Sequence, residues 1–420
     1  MTGAEIVSNV LSFEDARRAV EGQAALVQPP ETEIIDLVDA AERVLADSVV
    51  ADRDLPPFPR STRDGYAVRS VDLRKLPTIL EVIGEVKAGE KPEKIPIGIG
   101  TGQAVSIMTG APVPAGGDAV VMVEYTSQRG TKVEVTRGVV AGENIVPRGA
   151  EASHGALLVE RGSRLTDASI ALAASVGKSK LQVYKRPKVA VLTTGDEIVE
   201  VDADPGPTQI RNSNSYSLAV QIRRASGDPI PFPIAPDELL GLRRSIEQGL
   251  ASDLLLMTGG VSMGRYDLVE QVLAELHAEF FFTGAKIQPG RPVVFGRGAS
   301  PARAESNPAT YFFGLPGNPV STMVTFELFA RPMLEAVSGM SPRKLVFVYA
   351  KLKSEIIVKP GLKRFLPAIL SGEFEQSEVA LVPWQGSGDI AATARANCYI
   401  VIPPDRERIS PGEFVAIMPR

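Results

Sequence analysis

Two histidines, one cysteine and one tryptophan are all that 420 residues hold of these types. Each scarcity excludes a class of chemistry. Cys398 alone cannot form an intrachain disulfide framework, and it fits a reducing compartment. One cysteine with His154 and His277 cannot assemble a Cys/His zinc centre. A Ser-His-Asp triad would have to use one of the two imidazoles. His277 sits near the end of the apolar-periodic stretch LVEQVLAELHAEFFF, where a structural role is the simpler account. His154 lies in a glycine-flanked loop and is expected to be exposed. Reaction chemistry is left to carboxylates, hydroxyls, backbone amides and cations.

Excess positive charge is also missing. The formal net charge is −5, which disfavours broad electrostatic binding to nucleic acid or anionic lipid. No run of 18 apolar residues occurs, and no basic-then-apolar leader precedes the first helix pattern, so the expectation is a soluble cytoplasmic protein with no membrane or nucleic-acid partner. What is present is length and apolar content: 420 residues predict three or four domains, and an apolar fraction of 44 % can fill their cores.

Along the chain the patterning changes several times. Ser12 with Asp15 three residues later predicts a capped helix over SFEDARRAVEGQAAL. Residues 31–52 read as a short strand followed by a helix over DAAERVLADSV, and 53–66 as an irregular proline-rich stretch. From about 71 to 147 short Val/Ile runs alternate with Gly and Pro clusters, which predicts a small β domain. SRLTDASIALAASVGKSK (163–180) predicts a helix capped by Thr166 and ended near Gly177. After Pro187 apolar strands alternate with helices: VAVLTTGDE, SYSLAVQIRRASGD, DLLLMTGGVSMG, then YFFGLPGNPV followed by STMVTFELFARPMLEAV. That alternation predicts a parallel sheet covered on both faces. Short strands return after about residue 341 and predict a separate C-terminal β module.

Three loops leave strand ends in that α/β region: TTGDE (193–197), TGGVSMG (258–264) and GLPGNPVS (314–321). Ligands of open parallel sheets bind beyond such ends. Glycine lets backbone amides approach an anion closely. Asn318 is placed to cap the following helix and Pro319 to open it, leaving helix N–H groups for a phosphate. Asp196, Glu197 and Asp267 lie in or beside these loops, where carboxylates make sense if a hard cation bridges them to phosphate. KIQPGRPVVFG (286–296) adds Lys286 and Arg291. In LPPFPRSTRDGYAVRS (55–70), Asp64-Gly65 is a turn signal running straight into a strand-like stretch.

Together LPPFPRSTRDGYAV, SIMTGAPVPAGGDAVV, LTTGDEIV, IRNSNSYSL, TGGVSMGRYD, QPGRPVVFG and GLPGNPVS resemble one family, the molybdopterin molybdenumtransferases (the MoeA and gephyrin E-domain family). The resemblance implies four regions per chain in an elongated homodimer: residues 1–54 with 148–183 as a dimerising α/β region, 55–147 as an inserted β domain, 184–338 as a molybdopterin-binding α/β domain, and 339–420 as a β-barrel-like module. It implies that molybdate is inserted into adenylylated molybdopterin with release of AMP, assisted by Mg²⁺ or another divalent cation. The implied protein partners are a molybdopterin adenylyltransferase and apo-molybdoenzymes. Two alternatives stay open on the sequence: the adenylyltransferase step itself, and a non-catalytic scaffold similar to gephyrin.

On the family pattern Asp64, Thr109, Glu197, Asp237 and Asp267 match positions important for activity, with Glu197 and Asp267 holding the cation. Implied substrate contacts are Thr194 and Gly195 in the first loop, Ser213 and Asn214 in IRNSNSYSL, and Gly259, Gly260 and Ser262 in the second loop. The third loop adds Pro316, Gly317, Asn318, Pro319 and Ser321. Lys286, Arg291, Arg364 and Ser387 complete the set. This chain also departs from the pattern. The family's Gly-Glu-Asp reads Gly149-Ala150-Glu151, its Lys-Pro-Gly-Lys-Pro reads Gln288-Pro289-Gly290-Arg291-Pro292, and a frequent lysine is Gly284. Near 361 its two arginines are displaced or absent, leaving Arg364. Fewer cations raise the question of molybdate against tungstate preference.

Overall fold

The computed structural model describes residues 9–96, 98–260, 268–299 and 309–420. Its centre is a six-stranded sheet. In chain order the elements are β1 (Lys188–Thr193), α1 (Asn214–Arg224), β2 (Asp228–Pro231), α2 (Leu239–Gly249), β3 (Leu254–Thr258), α3 (Leu268–Glu275), β4 (Glu279–Phe282), β5 (Val294–Ala299), β6 (Ala309–Leu315) and α4 (Pro319–Thr325). The strand order is β2-β1-β3-β6-β5-β4. The first four run parallel, as the pattern predicts, and β5 and β4 add an antiparallel edge beside β6. The period-2 alternation explains the continuous apolar runs. Val189, Val191, Leu254 and Leu256 face a core with Leu218, Ile222 and Val320, while Ala190, Leu192, Leu255 and Met257 face a second core under α2 and α3.

The register sets where the loops go. Thr193 pairs with Thr258, and Thr258 with Leu315. Three carboxyl ends therefore lie in one row, and their loops emerge side by side.

The helix Phe13–Ala24 begins as predicted: Ser12 Oγ accepts from the Asp15 amide at 3.0 Å and donates to Asp15 Oδ2 at 2.6 Å. Its buried face, Ala16 and Val20, enters the same core as α1 and α4. The reason it docks there is visible in the backbone. α4 continues through a wide turn at Phe326–Ala330 into a helix at Arg331–Val337. Pro332 has no N–H, so the Leu328 carbonyl four residues earlier lacks its helical donor. Arg17 Nη1 supplies one at 2.8 Å in a buried position.

Residues 31–54 and 148–184 form a small mixed unit. Thr32–Asp36 pairs with Lys180–Tyr184, and Val49–Val50 with Leu157–Val159. The helix expected over DAAERVLADSV does not form. One short turn at Val38–Ala40 is followed by extended bridges of Val44 to Arg164 and Leu45 to Val183. Ala40, Leu45 and Val49 are all buried beneath the helix Asp167–Ser175, so tertiary burial overrides local helix propensity. That helix is capped by Thr166, which accepts from the Ser169 amide, and it ends at Gly177.

The inserted β domain is one six-stranded sheet ordered Ala119–Met122, Gly65–Val68, Gln103–Ile107, Thr78–Val86, Lys132–Val135 and Thr126–Arg129. The C-terminal module is a closed five-stranded barrel: Lys363–Ser371, Glu378–Leu381, Val348–Leu352, Phe414–Pro419 and Cys398–Ile402, which pairs back to Lys363–Ser371. Tyr399, Val401 and Met418 reach into the central core, so the barrel is seated firmly on the α/β domain. Cys398 is buried in the barrel, where burial pushes its thiol up to about 11 and leaves it inert.

Candidate functional site

The three strand-end loops are locked together by short polar side chains. Asn214, in the first turn of α1, donates from Nδ2 to Thr258 Oγ1 and to the Gly317 carbonyl, both at 2.8 Å. Thr322 Oγ1 donates to the Pro316 carbonyl at 2.5 Å, and Thr258 Oγ1 reaches the same oxygen at 3.3 Å. Beneath the first loop, the hydroxyls of Thr193 and Ser215 lie 2.8 Å apart, and Asn212 Nδ2 donates to Ser215 Oγ at 3.0 Å. Asn214, Thr258, Thr322 and Thr193 are buried, so each bond acts in a low-dielectric setting and stiffens the loops.

Backbone contact explains one glycine directly. Gly259 has φ +89°, and a Cβ there would lie 2.2 Å from the Thr194 carbonyl oxygen. Only glycine lets the second loop press against the first. Gly317 approaches Gly259 from the other side, and Gly260 adjoins Thr194. Thr194, Gly195, Asn214, Gly259, Gly260 and Gly317 thus lie together at the strand ends.

Acidic groups rim this surface. Thr194 Oγ1 donates to Asp237 Oδ1, and the Asp237 amide donates to Asp196 Oδ1 at 3.2 Å. The Glu197 carboxylate lies against Gly195, is exposed, and makes no hydrogen bond among the described residues. Ser213 precedes α1 and is exposed, without a side-chain cap bond. Asp267 and Ser262 lie outside the described residues.

A cavity of about 330 Å³ opens beside the third loop. Three walls form it: Gln288–Pro292, the start of α4, and a turn of the barrel around Ser387. Two contacts set this geometry. The Val320 amide donates to the Ser387 carbonyl at 3.0 Å, which ties barrel to helix. Gly290, at φ +102°, passes so close to Thr325 that a Cβ would sit 2.3 Å from its Cγ2. At the start of α4, Pro319 has no amide and the barrel takes that of Val320, while the Asn318 and Ser321 amides donate to no backbone carbonyl among the described residues. Asn318 precedes α4 but its side chain forms no cap bond, so its amide remains uncommitted.

The chemistry of the cavity lining is one-sided. Arg291, Asn318, Ser321, Trp384 and Ser387 contribute, and among the described residues no carboxylate does. None of these side chains hydrogen-bonds elsewhere among the described residues, and the Ser321 hydroxyl is not sealed in although the residue is buried. Lys286 and Arg364 lie outside the lining. The Lys286 side chain is exposed near Asp15. Arg364 is buried, donates to the Lys359 carbonyl, and leaves Nε buried without a partner; burial lowers its pKa. Trp384 is a lining residue that sequence reasoning missed, as are Leu362 and Gly386. Its being the sole tryptophan was the one available signal.

Asp64 and Thr109 sit in the inserted β domain. Asp64 Oδ1 accepts from the Thr109 amide at 2.6 Å and from its hydroxyl at 2.8 Å, and these two bonds hold the Asp64 carboxyl below its usual range. Among the described residues the pair shares no hydrogen bond with the strand-end loops. Glu151, at the departing motif, pairs with Arg60 at 2.9 Å. Among the described residues no three acidic, histidine or cysteine groups converge as a metal centre, and no helix is long and apolar enough to cross a membrane.

Comparison with known proteins bears on this arrangement. Residues 11–177 match the MoeA N-terminal region (domain I and II), 190–336 a probable molybdopterin binding domain, and 349–419 the MoeA C-terminal region (domain IV). A molybdopterin molybdenumtransferase of Haemophilus influenzae is 33 % identical over 420 residues, covering 98 % of each chain. One from a Nostoc species is 33 % identical over 397 residues, covering 92 % of this chain and 88 % of that one. Among solved structures, a molybdopterin biosynthesis MoeA protein from Pyrococcus horikosii superposes with a TM-score of 0.70 at 31 % identity, over 98 % of this chain and 99 % of that one.

Proposed function

The chain belongs to the MoeA family, the molybdopterin molybdenumtransferases, and from that premise we propose how its residues divide the work. It is a transferase of molybdenum cofactor biosynthesis, acting on molybdopterin and molybdate. The pterin arrives adenylylated, molybdenum passes to its dithiolene sulfurs, and AMP leaves. Family matches on both sides of the α/β domain disfavour the adenylyltransferase reading, which needs that domain alone.

One observation carries the division of labour: among the described residues, the 330 Å³ cavity is lined by uncommitted donors and by no carboxylate. A tetrahedral metalate wants such a lining, and the volume is roughly ten times the ~30 Å³ share of one water. Arg291, Ser321, Asn318 and Ser387 therefore bind molybdate. The neighbouring backbone at Thr194, Gly195, Gly259 and Gly260 receives the phosphate link, since closely packed glycine loops present amides to anions. Glu197, unpaired among the described residues, and Asp267 would hold Mg²⁺, an ion that usually takes carboxylate and phosphate oxygens. When bound, the cation supplies positive charge to the departing AMP phosphate. Asp237 orients the first loop through Thr194. Asp64 and Thr109, preorganised as a pair, act from the β domain of a second subunit in a homodimer. An adenylyltransferase supplies the substrate and apo-molybdoenzymes take the product.

The test is direct. Purified protein is given adenylylated molybdopterin, molybdate and Mg²⁺, and AMP release is followed. Glu197→Ala is expected to slow release by roughly 100-fold with an unchanged circular dichroism spectrum. Unchanged turnover removes Glu197 from the site. Consumption of ATP and free molybdopterin instead would identify an adenylyltransferase.

A further inference from the structure

We propose that Trp384 is an anion-binding residue of the cavity, its indole N–H donating a hydrogen bond to the bound oxyanion. This deepens the reading of the cavity as the molybdate subsite and rests on it. Trp384 lines the cavity with Arg291, Asn318, Ser321 and Ser387. It is the only tryptophan in the chain. A half-buried tryptophan ordinarily finds an acceptor for its N–H. Here the protein offers none among the described residues, and the nitrogen is not among the atoms sealed from solvent. The donor is accessible and unused.

The ring is also held in place. It packs against the central α/β core, the barrel core, and the small cluster of Val382, Ala392 and Ala396. A donor fixed on such a support loses little freedom when the anion arrives. The cavity needs that donor more than a cation-rich site would. Arg291 is its one positive charge among the described residues, and a hydrogen bond to a charged acceptor is stronger than a neutral one.

Because the tryptophan is unique, the wild-type protein reports on itself. Molybdate binding is measured by calorimetry and, in parallel, by tryptophan emission corrected for absorption by molybdate. The emission is expected to change with the same half-saturation as the heat. Trp384→Phe keeps a ring and removes the N–H. It is expected to weaken molybdate binding about tenfold or more and to raise the KM for molybdate. The KM for adenylylated molybdopterin and the kcat at saturating molybdate are expected to stay put, a split that general loosening of the barrel would not give. Molybdate bound with wild-type affinity by Trp384→Phe overturns the role of Trp384 and leaves the cavity assignment standing, as does emission that stays constant while heat is released. Failure of wild-type protein to bind molybdate overturns both.

Discussion

The central sheet has a cavity at each end, and the two are built on different principles. At the amino ends of the strands lies a groove of about 1220 Å³, bordered by Lys188, Asp253 and Ala309. At the carboxyl ends lies the smaller one, of about 330 Å³. Volume alone would favour the first. Two of its four lysine and arginine side chains, however, are matched among the described residues: Lys185 meets Glu31 at 2.8 Å and Arg297 meets Glu279 at 2.6 Å. Such exposed pairs neutralise each other and contribute little. The smaller cavity has walls set by close glycine contacts and buried threonine and asparagine bonds, yet its own donors have no protein partner among the described residues. A binding site is distinguished by rigid support combined with unsatisfied polarity, and size is secondary.

That contrast can be broken by substitution, and the largest effect belongs to a glycine. Gly259→Ala places a methyl 2.2 Å from the Thr194 carbonyl at a left-handed φ. It is expected to destabilise by about 3 kcal/mol or more in urea unfolding. At the opposite end, Gly298→Ala meets only the Leu250 methyls at 3.2 Å without a positive φ, and is expected to cost under about 1 kcal/mol. Equal losses at the two positions would erase the distinction. Next comes Asn214→Ala, which removes both bonds joining the second and third loops. A loss of about 1–3 kcal/mol is expected, with a larger relative fall in AMP release than in unfolding midpoint. The smallest effect is Lys185→Ala in the amino-end groove: neither the melting temperature nor AMP release is expected to move. A measurable drop in turnover there would give the larger groove a part in the reaction.

How much of this was legible beforehand depended on the range of the interactions. The three loops are local signals, because Gly259, Gly317 and Pro319 announce turns whatever the tertiary context. The Ser12 and Thr166 caps are equally local, and the Gly-rich exits of β1, β3 and β6 followed from alternating apolar runs. The helix expected around Ala40–Val49 failed because burial against residues more than 100 positions later reassigns Val44 and Leu45. Asn318 was expected to cap α4, but its side chain stays free beside a cavity that forms only once the barrel docks through Ser387. Trp384 was invisible for the same reason: its neighbours arrive from three separate cores. Arg364 and Lys286 show the converse, since matching a motif position does not determine where a guanidinium or ammonium ends up.

The guanidinium that Arg17 lends to the Leu328 carbonyl has a consequence for how the polypeptide is made. A proline one turn later leaves that oxygen stranded, and the remedy is encoded 311 positions upstream. During synthesis the first helix leaves the ribosome with its apolar stripe uncovered and stays so until the final crossover of the sheet has emerged. A fragment cut at residues 184–338 would inherit an orphaned acceptor and a bare hydrophobic strip, so autonomy of this region ends where its sequence motifs begin.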